Sequence, residues 1–166
     1  MLRWPAGTLF VDIPETARLG FIMDLLIPNH HYVMFVGNPG TGKTAVMREK
    51  LKTLDEEEYV SSSMTMNCMT DSMQLQTIME MQLEKKAGIQ YGPPGNKTLI
   101  YFIDDLNMPV VDKYGTQEPI ALLRCFSDYG LWYEREKLTP RKVKNCDIVS
   151  NLSLKCRVER LISRGV

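Results

Sequence analysis

The 166 residues carry twenty basic and twenty acidic side chains and are 44% hydrophobic, enough apolar material for one core at a length typical of one domain. The charges cancel and the longest like-charge run is Asp55–Glu58, so no field is available to hold nucleic acid or an anionic membrane, and neither is expected as a partner. No stretch approaches the ~20 apolar residues of a spanning helix, while the four cysteines lack a C-x-x-C pair and His30 and His31 are adjacent, which argues against zinc and for a soluble chain in a reducing, cytoplasmic setting.

The opening "MLRWPAGTLFVDIP" contains Pro5 and Pro14 and lacks the apolar centre of a secretory leader. "PETARLGFIMDLLIP" then places Ala17, Phe21 and Leu25, and also Leu19, Ile22 and Leu26, at helical spacing between prolines, predicting an amphipathic helix. In "HYVMFVG" the period changes to a short apolar run that stops at Gly37, as a buried strand does. Helical sequence resumes at Lys43 and runs to about Leu54, and after the acidic "DEEE" turn "YVSSSMTMN" reads as a second strand.

"TDSMQLQTIMEMQLEKK" predicts a helix with Thr70 as its N-cap, Met73, Leu75, Ile78, Met79 and Leu83 as its apolar positions, and lysines at its end. "GIQYGPPGNK" reads as turn chemistry throughout. "TLIYFID" is the clearest strand, its unbroken apolar character arguing burial on both faces. "TQEPIALLRCFSDYG" predicts a helix that tolerates Pro119 in its first turn and closes at Gly130. Trp132 and Tyr133 should cover a core edge, Cys125 and Cys146 should be small buried apolar residues, and "VKNCDIVSNL" supplies one more strand. Strands alternating with helices imply an α/β fold, a parallel sheet covered by helices on both sides.

The stretch "GNPGTGKT", Gly37–Thr44, satisfies G-x-x-x-x-G-K-[ST] and lies between the predicted strand and helix that this pattern requires. Gly37, Gly40 and Gly42 let successive backbone N–H groups turn inward around phosphate oxygens beside the positive end of the helix. Asn38, Pro39 and Thr41 complete the loop, Pro39 stiffening it, and Ala45 follows in the helix. Lys43 supplies the cation for the terminal phosphates, and Thr44 offers a hydroxyl to Mg²⁺, which needs only one or two protein oxygens. Asp104, at the end of the apolar strand, suits the acid that holds that ion. Asp105 stands where a base would orient the attacking water. Aspartate is one methylene shorter than glutamate, and about 1 Å of misplacement costs on the order of 10²-fold in rate, so the pair predicts a site that binds ATP better than it hydrolyses it.

"VMFVGNPGTGKT", "LEKKAGIQYGPPGNKTLIYFIDDLNMP", "DKYGTQEPIALLR" and "DYGLWYERE" together resemble consecutive blocks of the third AAA+ module of axonemal dynein heavy chains, over roughly residues 8–150. The resemblance implies a P-loop NTPase core with parallel strand order 5-1-4-3-2, in a ring whose first module is the main ATPase and whose third is regulatory. It implies that Gly37–Thr44 is the Walker A loop, that Asp104 is the Walker B magnesium acid and that Asp105 holds the catalytic place. Val11, Ile13 and Pro14 would border the adenine of ATP or ADP. It further implies, as partners, other dynein AAA+ modules and axonemal dynein subunits, and, as setting, a cilium or flagellum.

After "NCDIVS" the family continues with a polar sensor, Asn-Pro following a Cys-Met-like pair, and then with ring-facing arginines and a helical lid. Here "NLSLKCRVERLISRGV" follows. The expected division is therefore a partial AAA+ domain over 1–150, without a lid, and a divergent tail over 151–166. In family register Ser153 falls at the sensor asparagine, with Asn151 two places early, on the same strand face if the strand continues; the role stays open between them. Two rivals remain: a non-enzymatic fragment that binds dynein modules or assembly factors, and a stand-alone NTPase of another P-loop branch.

Overall fold

A computed structural model describes residues 13–154. In chain order the elements are α1 (Pro14–Leu26), β1 (Val33–Gly37), α2 (Lys43–Thr53), β2 (Tyr59–Thr65), α3 (Ser72–Glu80), β3 (Glu84–Lys85), β4 (Gln90–Gly92), β5 (Thr98–Asp104), α4 (Glu118–Tyr129), β6 (Leu131–Tyr133), β7 (Pro140–Val143) and β8 (Cys146–Ser153). β1, β8, β5 and β2 form a parallel sheet in that order. Among the described residues this is the 1-4-3-2 part of the expected arrangement.

The side chains of β5 alternate between two cores, which is why the whole of Leu99–Asp104 is buried, as its apolar run predicted. Ile100 and Phe102 join Met23, Ile27, Val33, Met47 and Val149 beneath α1 and α2. Leu99, Tyr101 and Ile103 join Met64, Leu75, Met79, Leu123, Phe126 and Trp132 on the side of α3 and α4. The same alternation aims Asp104, two residues beyond Phe102, toward α2. Parallel pairing brings the strand ends to one rim, where Gly37 is in register with Ser153 and Phe35 with Asn151, the edge at which α/β sheets bind ligands.

Two apolar patterns are used differently from the sequence expectation. In α1 the buried residue is Met23, with Leu26 half-buried and Ile27 following, whereas Ala17 is exposed and Phe21, Ile22 and Leu25 are 64%, 47% and 53% exposed. Only the last turn of this helix meets the sheet; its flank is held to α2 by the Lys50–Asp24 ion pair. β1 lies at the sheet's edge among the described residues, so Met34 and Val36 are 52% and 55% exposed while Val33 is buried. Its apolar run covers one face, not two.

α3 begins one residue later than predicted. Asp71 is its N-cap, accepting from the Gln74 N–H at 2.7 Å, while Thr70 Oγ1 accepts from the Asn67 N–H at 3.0 Å in the preceding turn. The helix stops at Glu80, and Lys85 enters β3 instead of continuing it. "GIQYG" is likewise not turn alone: Gln90–Gly92 forms β4 in a second sheet of order β3-β4-β7-β6. This sheet is pinned to α3 through Glu80, which accepts from Trp132 Nε1 and from Arg141 Nη1, each at 2.7 Å. Trp132 is 1% exposed, covering the core edge as expected, while Tyr133 is 53% exposed; Cys146 is buried with its thiol pushed up to about 12, first by burial, whereas Cys125 is only half-buried.

The fully buried Tyr101 donates its hydroxyl to the Met79 carbonyl at 2.8 Å, satisfying one of the orphan acceptors of the last turn of α3. Tyr101→Phe leaves that carbonyl without this donor and is expected to cost about 1–2 kcal/mol, read as a lower denaturation midpoint in urea.

Candidate nucleotide site

The loop between β1 and α2 turns on Gly40 and Gly42, at φ 77° and 80°. Nothing lies within 4 Å of a Cβ built on either, so the left-handed backbone, not lack of space, is what calls for glycine. Asn38, Pro39, Gly40, Thr41 and Gly42 are exposed, with Ala45 exposed in the first turn of α2. Gly42 caps the helix without a side-chain hydrogen bond, leaving the first N–H groups of α2 without a side-chain cap, the arrangement that receives phosphate. Lys43 lies across the loop, its Nζ donating to Asn38 O at 2.7 Å, Gly37 O at 3.1 Å and Thr41 Oγ1 at 3.4 Å.

Thr44 meets the end of β5. Its hydroxyl donates to Asp104 Oδ1 at 3.1 Å, and Arg48 Nη2 lies 3.4 Å from Asp104 Oδ2. Asp104 is 5% exposed. A hydroxyl and a carboxylate that converge next to a phosphate-shaped loop are an all-oxygen donor set, which fits Mg²⁺ and the polyphosphate it accompanies.

Asp105 leaves the strand at φ 53°, a left-handed conformation that Asp and Asn adopt more readily than longer side chains. Its N–H donates to Asn151 Oδ1 at 2.9 Å. Burial raises its carboxyl pKa above the usual range and repulsion from Asp104 raises it further, with Lys43 acting in the opposite direction. A raised pKa in the folded state means stability present below the ordinary aspartate pKa and lost as pH rises through the folded one. Asp105→Asn, which also suits the left-handed backbone, is thus expected to be more stable than the unaltered chain at neutral pH. The gap should narrow as pH falls toward 4, read from urea denaturation at several pH values.

Of the two candidates for the sensor place, the structure brings Asn151 to the site. β8 continues to Ser153, so both residues share a face, but it is Asn151 Nδ2 that reaches Asp104 Oδ1 at 2.5 Å and Thr44 Oγ1 at 3.0 Å. Ser153 is bracketed by Asn107, which donates to its carbonyl at 2.8 Å and accepts from its N–H at 3.3 Å. Among the described residues its buried hydroxyl has no partner. The signal for Asn151 was a carboxamide interrupting an apolar strand just before the rim, one pleat period beyond Val149. The predicted adenine border is placed only in part: Ile13, half exposed, and Pro14 start α1, and Val11 lies outside the described residues.

A family model for the P-loop containing dynein motor region matches residues 3–163. The chain is 47% identical over 143 residues to the dynein beta chain of the flagellar outer arm of Chlamydomonas reinhardtii, covering 86% of this chain and 3% of that one. To dynein axonemal heavy chain 17 of Homo sapiens it is 47% identical over 146 residues, covering 88% and 3%. It thus spans about 3% of the length of these relatives. Among solved structures, NtrX from Brucella abortus in complex with ADP matches with a TM-score of 0.53 at 17% identity, over 95% of this chain and 33% of that one, a likeness of fold alone.

Proposed function

The chain belongs to the P-loop containing dynein motor-region family, and on that premise we propose that it is an ATP-binding AAA+ module resembling the regulatory third module of an axonemal dynein heavy chain. Mg-ATP or ADP is held at Gly37–Thr44, and ATP is turned over slowly or not at all. The observation that carries this reading is the convergence of Thr44 and Asp104 beside the left-handed Gly40–Gly42 loop.

In this reading the loop N–H groups and Lys43 bind phosphate oxygens, while Thr44 and Asp104 orient the metal. Bound Mg²⁺ would neutralise charge building on the terminal phosphate. Asp105 stands in the place of the water-orienting acid, but its short side chain starts from a left-handed backbone, which supports slow turnover. The setting is a microtubule motor of the cilium or flagellum axoneme, with other dynein AAA+ modules and dynein subunits as partners. No helix among the described residues is long and apolar enough to cross a membrane.

The test is an equilibrium titration with a fluorescent ATP analogue. Saturable binding strengthened by Mg²⁺ supports the reading, and its absence sinks it. The exposed Phe21, Ile22 and Leu25 of α1 favour a second reading, an interaction module that docks on other dynein modules through this helix face. Pull-downs separate the two, because a pure scaffold captures the same partners with and without nucleotide.

A further inference from the structure

β2 is the other edge of the parallel sheet among the described residues, paired with β5. Met66 N donates to Asp104 O at 2.9 Å and Glu58 O accepts from Thr98 N at 2.8 Å, so the even-numbered residues of this segment turn their backbone groups toward β5 and the odd-numbered ones turn theirs outward. Tyr59 N is met by Asp55 O at 2.9 Å. Among the described residues, the outward N–H and C=O groups of Ser61, Ser63 and Thr65 have no hydrogen-bond partner, and all three residues are exposed. The strand, YVSSSMT, contains neither the proline, the lysine nor the bulge by which exposed edges are commonly protected.

Beside this edge, between β2 and α2, lies a groove of about 600 Å³. Leu51, Leu54 and Phe102 supply its apolar lining, Ser61 and Ser63 line it from β2, and Arg48 and Lys52 line it from α2. The two cations are 54% and 73% exposed along their side chains, and their carboxylate contacts, to Asp104 at 3.4 Å and to Glu49 at 3.3 Å, are long. Each therefore has donors to spare for another acid. In chain order the lining passes from Arg48 and Lys52 in α2 to Glu56 in the turn before β2, so the charge changes sign along the groove.

We propose that the free edge of β2 and this groove receive an extended segment of a partner protein, which adds a strand to the sheet. Backbone bonds to Ser61, Ser63 and Thr65 supply affinity. Alternate side chains supply specificity: an acid beside Arg48 and Lys52, and an apolar residue two positions away against Leu51 and Phe102. The acid follows from the two cations, and its place from Glu56, which repels a carboxylate at the opposite end. None of the lining residues belongs to the Gly37–Thr44 loop, so this surface stands or falls independently of nucleotide binding.

The probe is an amidated peptide, Thr-Glu-Thr-Val-Thr-Val-Thr, carrying an N-terminal fluorescein. It is titrated with the unaltered chain and followed by fluorescence anisotropy, beside a twin in which lysine replaces the glutamate. The acidic peptide is expected to bind saturably and about 3- to 10-fold more tightly than its twin. Ser63→Pro removes an outward N–H that the sheet does not use, a substitution that edge strands accept, and should weaken binding about 10-fold with little change in the urea midpoint. Lys52→Glu, on the exposed face of α2, should erase the preference for the acidic peptide and serves if the proline variant does not fold. The proposal is overturned by no saturable binding, by equal binding of the two peptides to the unaltered chain, or by a folded Ser63→Pro variant that binds undiminished. It is overturned as well by a concentration-dependent dimer of the unaltered chain that Ser63→Pro abolishes, since a second copy would then be the occupant of the edge.

Discussion

Lys43→Ala is expected to weaken binding of an ATP analogue by about 10- to 150-fold, the equivalent of the 1.5–3 kcal/mol carried by a hydrogen bond to a charged group. The size of the loss follows from where Lys43 Nζ sits. It makes contacts to Gly37 O, Asn38 O and Thr41 Oγ1, so the ammonium is already stationed within the loop and little ordering remains to be done when phosphate arrives. Of the three, the 3.4 Å contact to Thr41 is the longest and the one most easily exchanged for a phosphate oxygen. Losing the side chain removes the cation and also the tie between the two ends of the loop. The exposed loop contributes little to the cores, so the variant should melt within a degree or two of the unaltered chain while its titration curve moves. A binding curve that does not move would remove the nucleotide site from the account.

What the sequence revealed and what it concealed divide along physical lines. The parallel sheet was legible chiefly because β1 and β5 are local apolar runs, and the loop glycines and Asp104 sit at their ends. β5 is the clearest case, its continuous apolar character matching complete burial from Leu99 to Asp104. The second sheet was hidden because its strands are two to four residues long. Its outer pairs are short hairpins, and the pairing that joins them, β4 with β7, links segments about fifty residues apart, as in Gln90 with Lys142; no local period announces that. The stripe expected on α1 failed because periodicity gives an apolar face without saying what covers it. Val33 is buried and Met34 exposed for the same reason: position at the sheet edge is a property of topology.

The candidate site shows the same split. The Gly37–Thr44 loop and Asp104 were readable from spacing, since phosphate chemistry demands glycines at fixed offsets and an acid at a strand end. Asn151 was left undecided against Ser153, because choosing between them needs the register of β8 against β1 and β5. Phe35 opposite Asn151 and Ile103 opposite Ser150 fix it. The left-handed backbone of Asp105 was not readable at all, although it bears directly on why an aspartate stands there.

That backbone sets the terms of the second large expectation, that Asp105→Glu raises the single-turnover rate of ATP hydrolysis by up to about 10²-fold. On the proposed reading of Asp105 as a shortened catalytic acid, the added methylene supplies the missing reach, and the gain has to survive a conformational cost. At φ 53° an aspartate is tolerated better than a glutamate, so the variant should melt somewhat below the unaltered chain, by an amount on the order of 1 kcal/mol. Asn151 resists relaxation of that strain, because its amide oxygen holds the Asp105 N–H at 2.9 Å and β8 holds the asparagine. The longer side chain is thus forced to start from the same point, with the Lys43 ammonium near enough to act on its charge. The rate should rise while affinity for a non-hydrolysable analogue stays within about threefold, since Asp105 contacts neither the loop nor the Thr44–Asp104 pair through its own carboxylate in the hydrogen bonds observed. A rate that does not rise in a variant with intact analogue affinity would mean that reach is not what limits turnover. The reading of Asp105 as a shortened catalytic acid would then have to be abandoned.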